Sequence, residues 1–208
     1  TTPPIRVDDA FGPRRPGLQF DGSTSLLTLV DDADVEVFDA VSGGLSMLWV
    51  TRAPFAPSTA GWVEGYNPAA TIVGGTWPPS AAAGYTDGAL SYVFQGSEIG
   101  MDGPTWQVVH ASDELQEGPG EARLAGFVHA ADGTIAAVVD GASEAVGAAD
   151  FGVARGWSRL GGGIDGAGEG PVNRFTGTLG AVIVAPGELG DDDLARLHAW
   201  ARGRFGAR

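Results

Sequence analysis

Two kinds of side chain in this sequence stand where they could hold a ligand: aromatic rings in turn-rich stretches, and arginines close to them in the chain. Trp62, Tyr66, Trp77, Tyr85 and Trp157 all fall among glycines and prolines. Large rings prefer burial, so such positions stand out. Loops on a rigid scaffold are where binding residues concentrate. A flat indole or phenol offers its face to the CH groups of a sugar ring. Arg52, Arg155 and Arg159 would then donate hydrogen bonds to its hydroxyls or carboxylates. The competing reading is that these rings fold back and seal the ends of the fold. The sequence leaves both open.

Catalytic constellations are harder to find. Glu98 and Asp102 come nearest to a paired acid and base. Four residues apart on an extended chain, they are separated by about 13 Å, too far for either geometry of glycoside hydrolysis. Asp102-Gly103-Pro104 also reads as a turn. His110 and His129 both fall on expected strands. Paired across one sheet they could transfer a proton or hold a metal; two half-buried, hydrogen-bonded histidines are the simpler arrangement. His198 falls on an expected helix, facing solvent or making a capping contact. Gly161-Gly-Gly163-Ile-Asp-Gly166 spells G-x-G-x-x-G, but further glycines and Pro171 follow where the dinucleotide fingerprint needs a helix. Asp31, Asp32 and Asp34 make an oxygen-rich loop of the kind calcium takes. An acidic run between strands is otherwise a solvated loop, and the expectation is that no metal or cofactor is bound.

Composition removes whole classes of function. The chain of 208 residues carries a formal net charge of -14. Such a surface repels phosphate backbones and anionic bilayers, so nucleic-acid partners and membrane insertion are not expected. All 12 cations are arginine, and the absence of lysine excludes P-loop and Schiff-base chemistry. The absence of cysteine excludes disulfides, thiolate metal sites and cysteine nucleophiles. No apolar run approaches the roughly 20 residues of a membrane-spanning helix. A start at Thr1 without methionine is expected of a processed product.

The elements that must position these residues are mostly strands. Asp-Gly, the preferred pair of a type I′ hairpin turn, begins at Asp21, Asp87, Asp102, Asp132, Asp140 and Asp165. Between these turns lie short apolar runs, which predict strands near 18–21, 24–30, 44–52, 70–74, 89–95, 105–110, 122–130, 134–139 and 178–185. Residues 53–69, 76–88, 111–121 and 155–174 are expected to be loops. Phe20, Trp49, Phe127 and Phe175 fall inside or beside strands and are expected in the core. One helix is expected over about 191–205. Asp191 to Asp193 supply its cap and complement its dipole, and Leu194, Leu197, Ala201 and Phe205 form one apolar stripe. Arg202 and Arg204 occupy its last turn, and Gly206 is its stop.

Gly12-Pro-Arg-Arg-Pro16-Gly-Leu-Gln-Phe20-Asp-Gly22, followed by Leu26-Leu27-Thr-Leu, resembles the opening of bacterial laminin-G-like domains of the concanavalin A-like lectin/glucanase superfamily. Val138-Val-Asp140-Gly141 resembles their hairpin strand. Leu160-Gly-Gly with Arg174-Phe-Thr-Gly177-Thr-Leu-Gly180-Ala-Val-Ile-Val184 resembles their closing strands. The resemblance covers roughly 12–53 and 122–206. It implies an all-β, two-sheet antiparallel jelly-roll sandwich, here with one C-terminal α-helix. We expect a single domain over 1–208, with an N-terminal arm at 1–16. The superfamily's glucanases carry Glu-x-Asp-x-x-Glu on one strand, and nothing here matches. Its lyases carry Gln-x-His; Gln107-Val-Val-His110 has one residue too many, which puts the two on opposite faces of a strand. Relatives also bind calcium at the rim, which would fall to the Asp31–Asp34 loop.

A shared fold does not imply a reaction. The leading expectation is a non-catalytic, lectin-like domain that binds a surface glycan or polysaccharide through Trp62, Tyr66, Trp77, Tyr85, Trp157, Arg155 and Arg159, outside the cell or on a virion surface. The alternatives are an attachment or structural module, whose partners are other subunits of a virion, phage-like particle or bacterial surface assembly, and a lyase or glycosidase with atypical residues. With no metal bound, EDTA is expected to move the melting temperature by only about a degree or two. A drop of about ten degrees in differential scanning calorimetry, restored by calcium alone, would overturn that expectation.

Overall fold

The computed structural model describes residues 2–25, 27–28, 44–52, 70–75, 82–86, 89–97, 105–111, 120–148, 150–151, 157–160, 163–164, 171–172 and 175–208. Along the chain run β1 (Ile5–Val7), β2 (Gly17–Asp21), β3 (Leu27–Thr28), β4 (Leu45–Arg52), β5 (Ala70–Gly75), β6 (Ala82–Thr86), β7 (Ala89–Ser97) and β8 (Thr105–His110). There follow β9 (Ala122–His129), β10 (Thr134–Val139), β11 (Ala142–Ala148), β12 (Asp150–Phe151), β13 (Trp157–Leu160), β14 (Gly163–Ile164), β15 (Pro171–Val172), β16 (Thr176–Pro186) and the helix α1 (Asp191–Phe205). One sheet has the order β1-β2-β16-β4-β9-β10-β11. The second runs β7-β6-β5-β13-β3, with β8 and β12 also paired to β7. A small ladder joins β14 to β15. Every strand pair is antiparallel, as a two-sheet sandwich requires.

Alternation along the central strands sorts their side chains into two cores. Leu45, Met47 and Trp49 of β4, Ala125 and Phe127 of β9, and Ile135, Ala137 and Val139 of β10 face the second sheet. There they pack with Phe20, Phe175, Leu90 and Leu160. The four expected core aromatics are all buried here. Leu48, Val50, Leu124, Val128 and Val138 sit at the alternate positions and point the other way. On that side Leu194, Ala201 and Phe205 of α1 cover them, with Ala207 and Phe11 of the N-terminal arm. Phe205 seats itself at Gly180 of β16, where a Cβ would stand 2.7 Å from its ring. Only glycine allows the helix to dock so close. The connector before the helix is tied by Ser46, whose hydroxyl donates to the Gly187 carbonyl and accepts the Leu189 N–H.

Three local expectations need correction. Ala82–Thr86 and Trp157–Leu160, expected as loop, are strands β6 and β13, and Ala142–Ala148 is the further strand β11. Glycine and alanine give β6 and β11 little strand propensity; pairing with neighbours decides their state. The turn at Asp132-Gly133 is not type I′. Gly133 has φ +88 but Asp132 is not in the left-handed region, and the Gly133 N–H returns to the Ala130 carbonyl. This is the longer hairpin with a glycine bulge. The type I′ turn lies at Asp140-Gly141, with φ +49 and +85. Finally, α1 is capped by Gly190, and all three aspartates sit in its first turn, with no side-chain cap bond. Gly206 ends it in the left-handed conformation, as expected.

Asp140 carries more than its turn. Its Oδ2 accepts from Arg123 Nη1 at 2.5 Å, with the two side chains 11% and 15% exposed, and its Oδ1 accepts the Leu124 N–H at 3.0 Å. Asp140→Ala is therefore expected to cost about 1–3 kcal/mol in urea denaturation, by removing the nearer of the two carboxylates on Arg123, whose Nη2 keeps Glu121 at 3.3 Å, by freeing the Leu124 N–H and by straining a left-handed residue. Asp132→Ala, in a turn that asks no positive φ of that residue, should cost clearly less. Equal losses would overturn the assignment of the two turns.

Candidate functional site

Trp62, Tyr66, Trp77 and Arg155 lie outside the described residues, as do Glu98, Asp102 and the Asp31–Asp34 loop. Tyr85, Trp157 and Arg159 are found on the second sheet, within strands and not in the loops expected for them. Tyr85 of β6 stands opposite Ala70 at one end of β5. Trp157 of β13 stands opposite Gly75 at the other end, and Arg159 opposite Gly74. Five residues of extended chain, about 17 Å, separate the two ends. The ladder therefore brings Trp157 and Arg159 together, around a register shift, and keeps Tyr85 apart from them.

Arg52 is not a ligand donor beside them. It ends β4 in the first sheet, where its Nη1 donates to the Ala10 carbonyl at 2.9 Å and its guanidinium lies 5.6 Å from the Phe11 ring centre. The two strand histidines do not pair within one sheet. His129 is buried on β9 of the first sheet, and His110 ends β8 in the second, opposite Ser91. His198 makes the expected contact, its Nε2 bonding to the Arg208 carbonyl. No group of three His, Asp or Glu residues that could hold a metal is present among the described residues.

The motifs of the opening and of the hairpin have structural explanations. In Phe20-Asp21-Gly22 the ring is core. The carboxylate accepts the N–H groups of Ser23, Thr24 and Ser25 at 2.8–2.9 Å and the Thr24 hydroxyl at 2.5 Å. Those donors, the Thr24 hydroxyl first, hold its pKa far below the usual carboxylate range. Gly22 turns with φ +72, and a Cβ there would collide with the Thr176 hydroxyl. The aspartate fastens a turn and offers no free base.

Among the described residues, two surface features bear on the binding of an apolar or aromatic-stacking ligand. At the open edge of the sandwich a cleft of about 340 Å³ is walled by Pro16, Leu18, Leu160, Leu179 and Val182, with Arg6 at its rim. Its size lies within the range of ligand clefts, and its lining is apolar with a single guanidinium. Arg6 is engaged by Asp8 at 3.0 Å, both side chains exposed. The second feature is Trp200 of α1, 43% exposed. The sequence reading did not single it out. Its signal was its position: Trp200 falls off the apolar stripe of Leu194, Leu197, Ala201 and Phe205, on a helix whose buried face is already complete.

Comparison with solved structures places this geometry. Domain 4 of AbnA, an extracellular arabinanase from Geobacillus stearothermophilus solved in complex with arabinotriose, superposes with a TM-score of 0.55 over 95% of this chain and 82% of its own, at 14% identity. A heptameric SAP-like pentraxin from Limulus polyphemus gives 0.55 over 86% of this chain and 80% of its own, at 13% identity. The chain is a jelly-roll β-sandwich. The binding domain of botulinum neurotoxin serotype G shares the fold, with a TM-score of 0.60 over 94% of this chain at 10% identity; this chain spans only 44% of it. No protein-family model matches the chain, and no curated protein matches it. No helix among the described residues is long and apolar enough to cross a membrane.

The depressed Asp21 pKa sets a test of the turn. Its contribution to stability is complete above the ordinary aspartate pKa and is lost as pH falls below about 4 toward the folded-state value. Asp21→Asn should be less stable than the parent at pH 7. Its melting temperature should fall less steeply between about pH 5 and pH 2. Parallel profiles for the two proteins would remove Asp21 from the turn's support.

Proposed function

We propose that this chain is a non-catalytic carbohydrate-recognition domain of the laminin-G-like type, acting outside the cell. The observation that carries the reading is the jelly roll shared over 95% of the chain with an arabinanase domain that was solved holding arabinotriose. The sequence supports it, with 6 tryptophans and cations that are all arginine, the pairing a saccharide platform needs. Against catalysis stands the sequence spacing of the carboxylates: four residues apart, Glu98 and Asp102 would be about 13 Å apart on an extended chain, too far for a glycosidase pair. Asp21 and Asp140, the carboxylates of the two strand-turn motifs, are committed to holding turns.

The attachment-module reading draws on the toxin binding domains, which share the fold. It differs from the first in partner more than in chemistry, since an attachment module that reads a glycan satisfies both. A glycan array that includes neutral, sialylated and uronate-containing structures separates these from an enzyme. Binding above background, without new reducing or unsaturated ends after prolonged incubation, is the expected outcome. Cleavage of any glycan would overturn the non-catalytic reading. A blank array would overturn carbohydrate recognition.

A further inference from the structure

Trp200 shows much of its ring to solvent, yet the ring is seated firmly. It packs edge-on against Phe205, the centroids 5.3 Å apart and the planes at 81°. Phe205 is buried and meets Phe11 at 5.2 Å in the same fashion. The indole thus rests on the second core, fixed before any ligand arrives, which lowers the entropy cost of binding. Beside it, Gly203 has open space where a side chain would stand. Approach from that side is clear.

Cationic groups gather at the same end of the helix. Arg204 is exposed and lies one turn beyond Trp200, about 5–6 Å away between Cβ atoms. Arg15 arrives from the N-terminal arm: its Nη1 lies 2.9 Å from where a Cβ on Gly206 would be. Among the described residues neither has an ion-pair partner. The negative end of the helix dipole accounts for an arginine in the last turn. It favours Arg202 and the incoming Arg15 as well, and it does not account for an exposed tryptophan beside them. On a chain of net charge -14, this corner is a local reversal of sign.

We propose that Trp200, Arg204 and Arg15 form a subsite for a terminal acidic sugar, deepening the carbohydrate-recognition reading on which it rests. The pyranose ring stacks its CH face on the indole, and its carboxylate pairs with the guanidinium groups. The width of one sugar ring matches the spacing of a residue pair one helical turn apart. The occupant carries a single carboxylate. A long polyanion would meet the acidic remainder of the surface, whereas a lone charge at a chain end feels only what lies within the screening length of about 8 Å. The same argument disfavours an anionic bilayer.

The test is the array above, run with the parent, Trp200→Ala and Arg204→Gln, followed by calorimetric titration with 3′-sialyllactose, lactose and a triglutamate peptide. The expected result is array binding confined to glycans that end in an acidic sugar. Trp200→Ala should weaken it about tenfold or more, and Arg204→Gln several-fold, with the preference over the neutral sugar lost and the melting temperature nearly unchanged. Arg204 is exposed, so its variant carries the test if Trp200→Ala fails to fold. Glycan binding that survives both substitutions would overturn the subsite and leave carbohydrate recognition standing. Loss of neutral-glycan binding in Trp200→Ala would overturn the acidic occupant, and equal binding of triglutamate would overturn the saccharide. A blank array would overturn both proposals together.

Discussion

The first sheet is apolar on both faces, and the rest of the structure answers to that constraint. A sheet in an ordinary sandwich buries one face and shows the other to water. Here Leu48, Val50, Leu124 and Val138 make the second face as apolar as the first. Left bare, that face would be a contiguous hydrophobic patch of the kind soluble proteins avoid. The helix exists to cover it. So does the arm that brings Phe11 to the helix end, and so does the missing side chain at Gly180 that lets Phe205 close down. The exposed tryptophan and its arginines border this cover without being part of its buried face. They stand at its rim, where the helix turns back to the arm.

Much of this was legible in the chain. The helix could be read because its stripe repeats at helical spacing and its ends carry charges of the right sign. The strands that supply the core could be read because large apolar residues are concentrated in them, Met47 to Val50 in β4 and Leu124, Phe127 and Val128 in β9, between turn signals. Two of the strands absent from the expected set, Ala82–Thr86 and Ala142–Ala148, consist largely of alanine, glycine and small polar residues. Nothing local marks them; they are strands because neighbours offer hydrogen-bonding edges. The two Asp-Gly turns show the same limit. They are identical as dipeptides and differ in geometry, because the number of residues the flanking strands leave over decides the turn, not the pair itself.

The candidate site was less legible than the fold, and for a related reason. Sequence reasoning sought rings in loops, and Trp157 and Tyr85 turned out to belong to strands at opposite ends of a ladder. Trp200 sits on a helix and owes its exposure to a stripe already filled by others. Whether a ring is a wall or a platform depends on what occupies the neighbouring positions, which composition does not record. The motifs that stood out by resemblance, Phe-Asp-Gly and Val-Asp-Gly, prove to be devices for holding turns. A pattern kept by a fold for its own geometry says little about what its surface binds.

The order of strands in the first sheet also bears on how the chain reaches this state. β16, residues Thr176–Pro186, lies between β2 and β4, so the sheet joins residues 17–21 and 45–52 to a strand more than a hundred positions away. Such pairings close large loops before any contact rewards them, and folds dominated by them assemble on the millisecond-to-second scale. During synthesis, β4 and β9 can pair early, but the opposite edge of β4 waits for β16 to leave the ribosome. Until then an apolar strand edge and the uncovered outer face are open at the same time. This is the interval in which the nascent chain is most prone to aggregate, and it ends only when the last strand and the helix dock together.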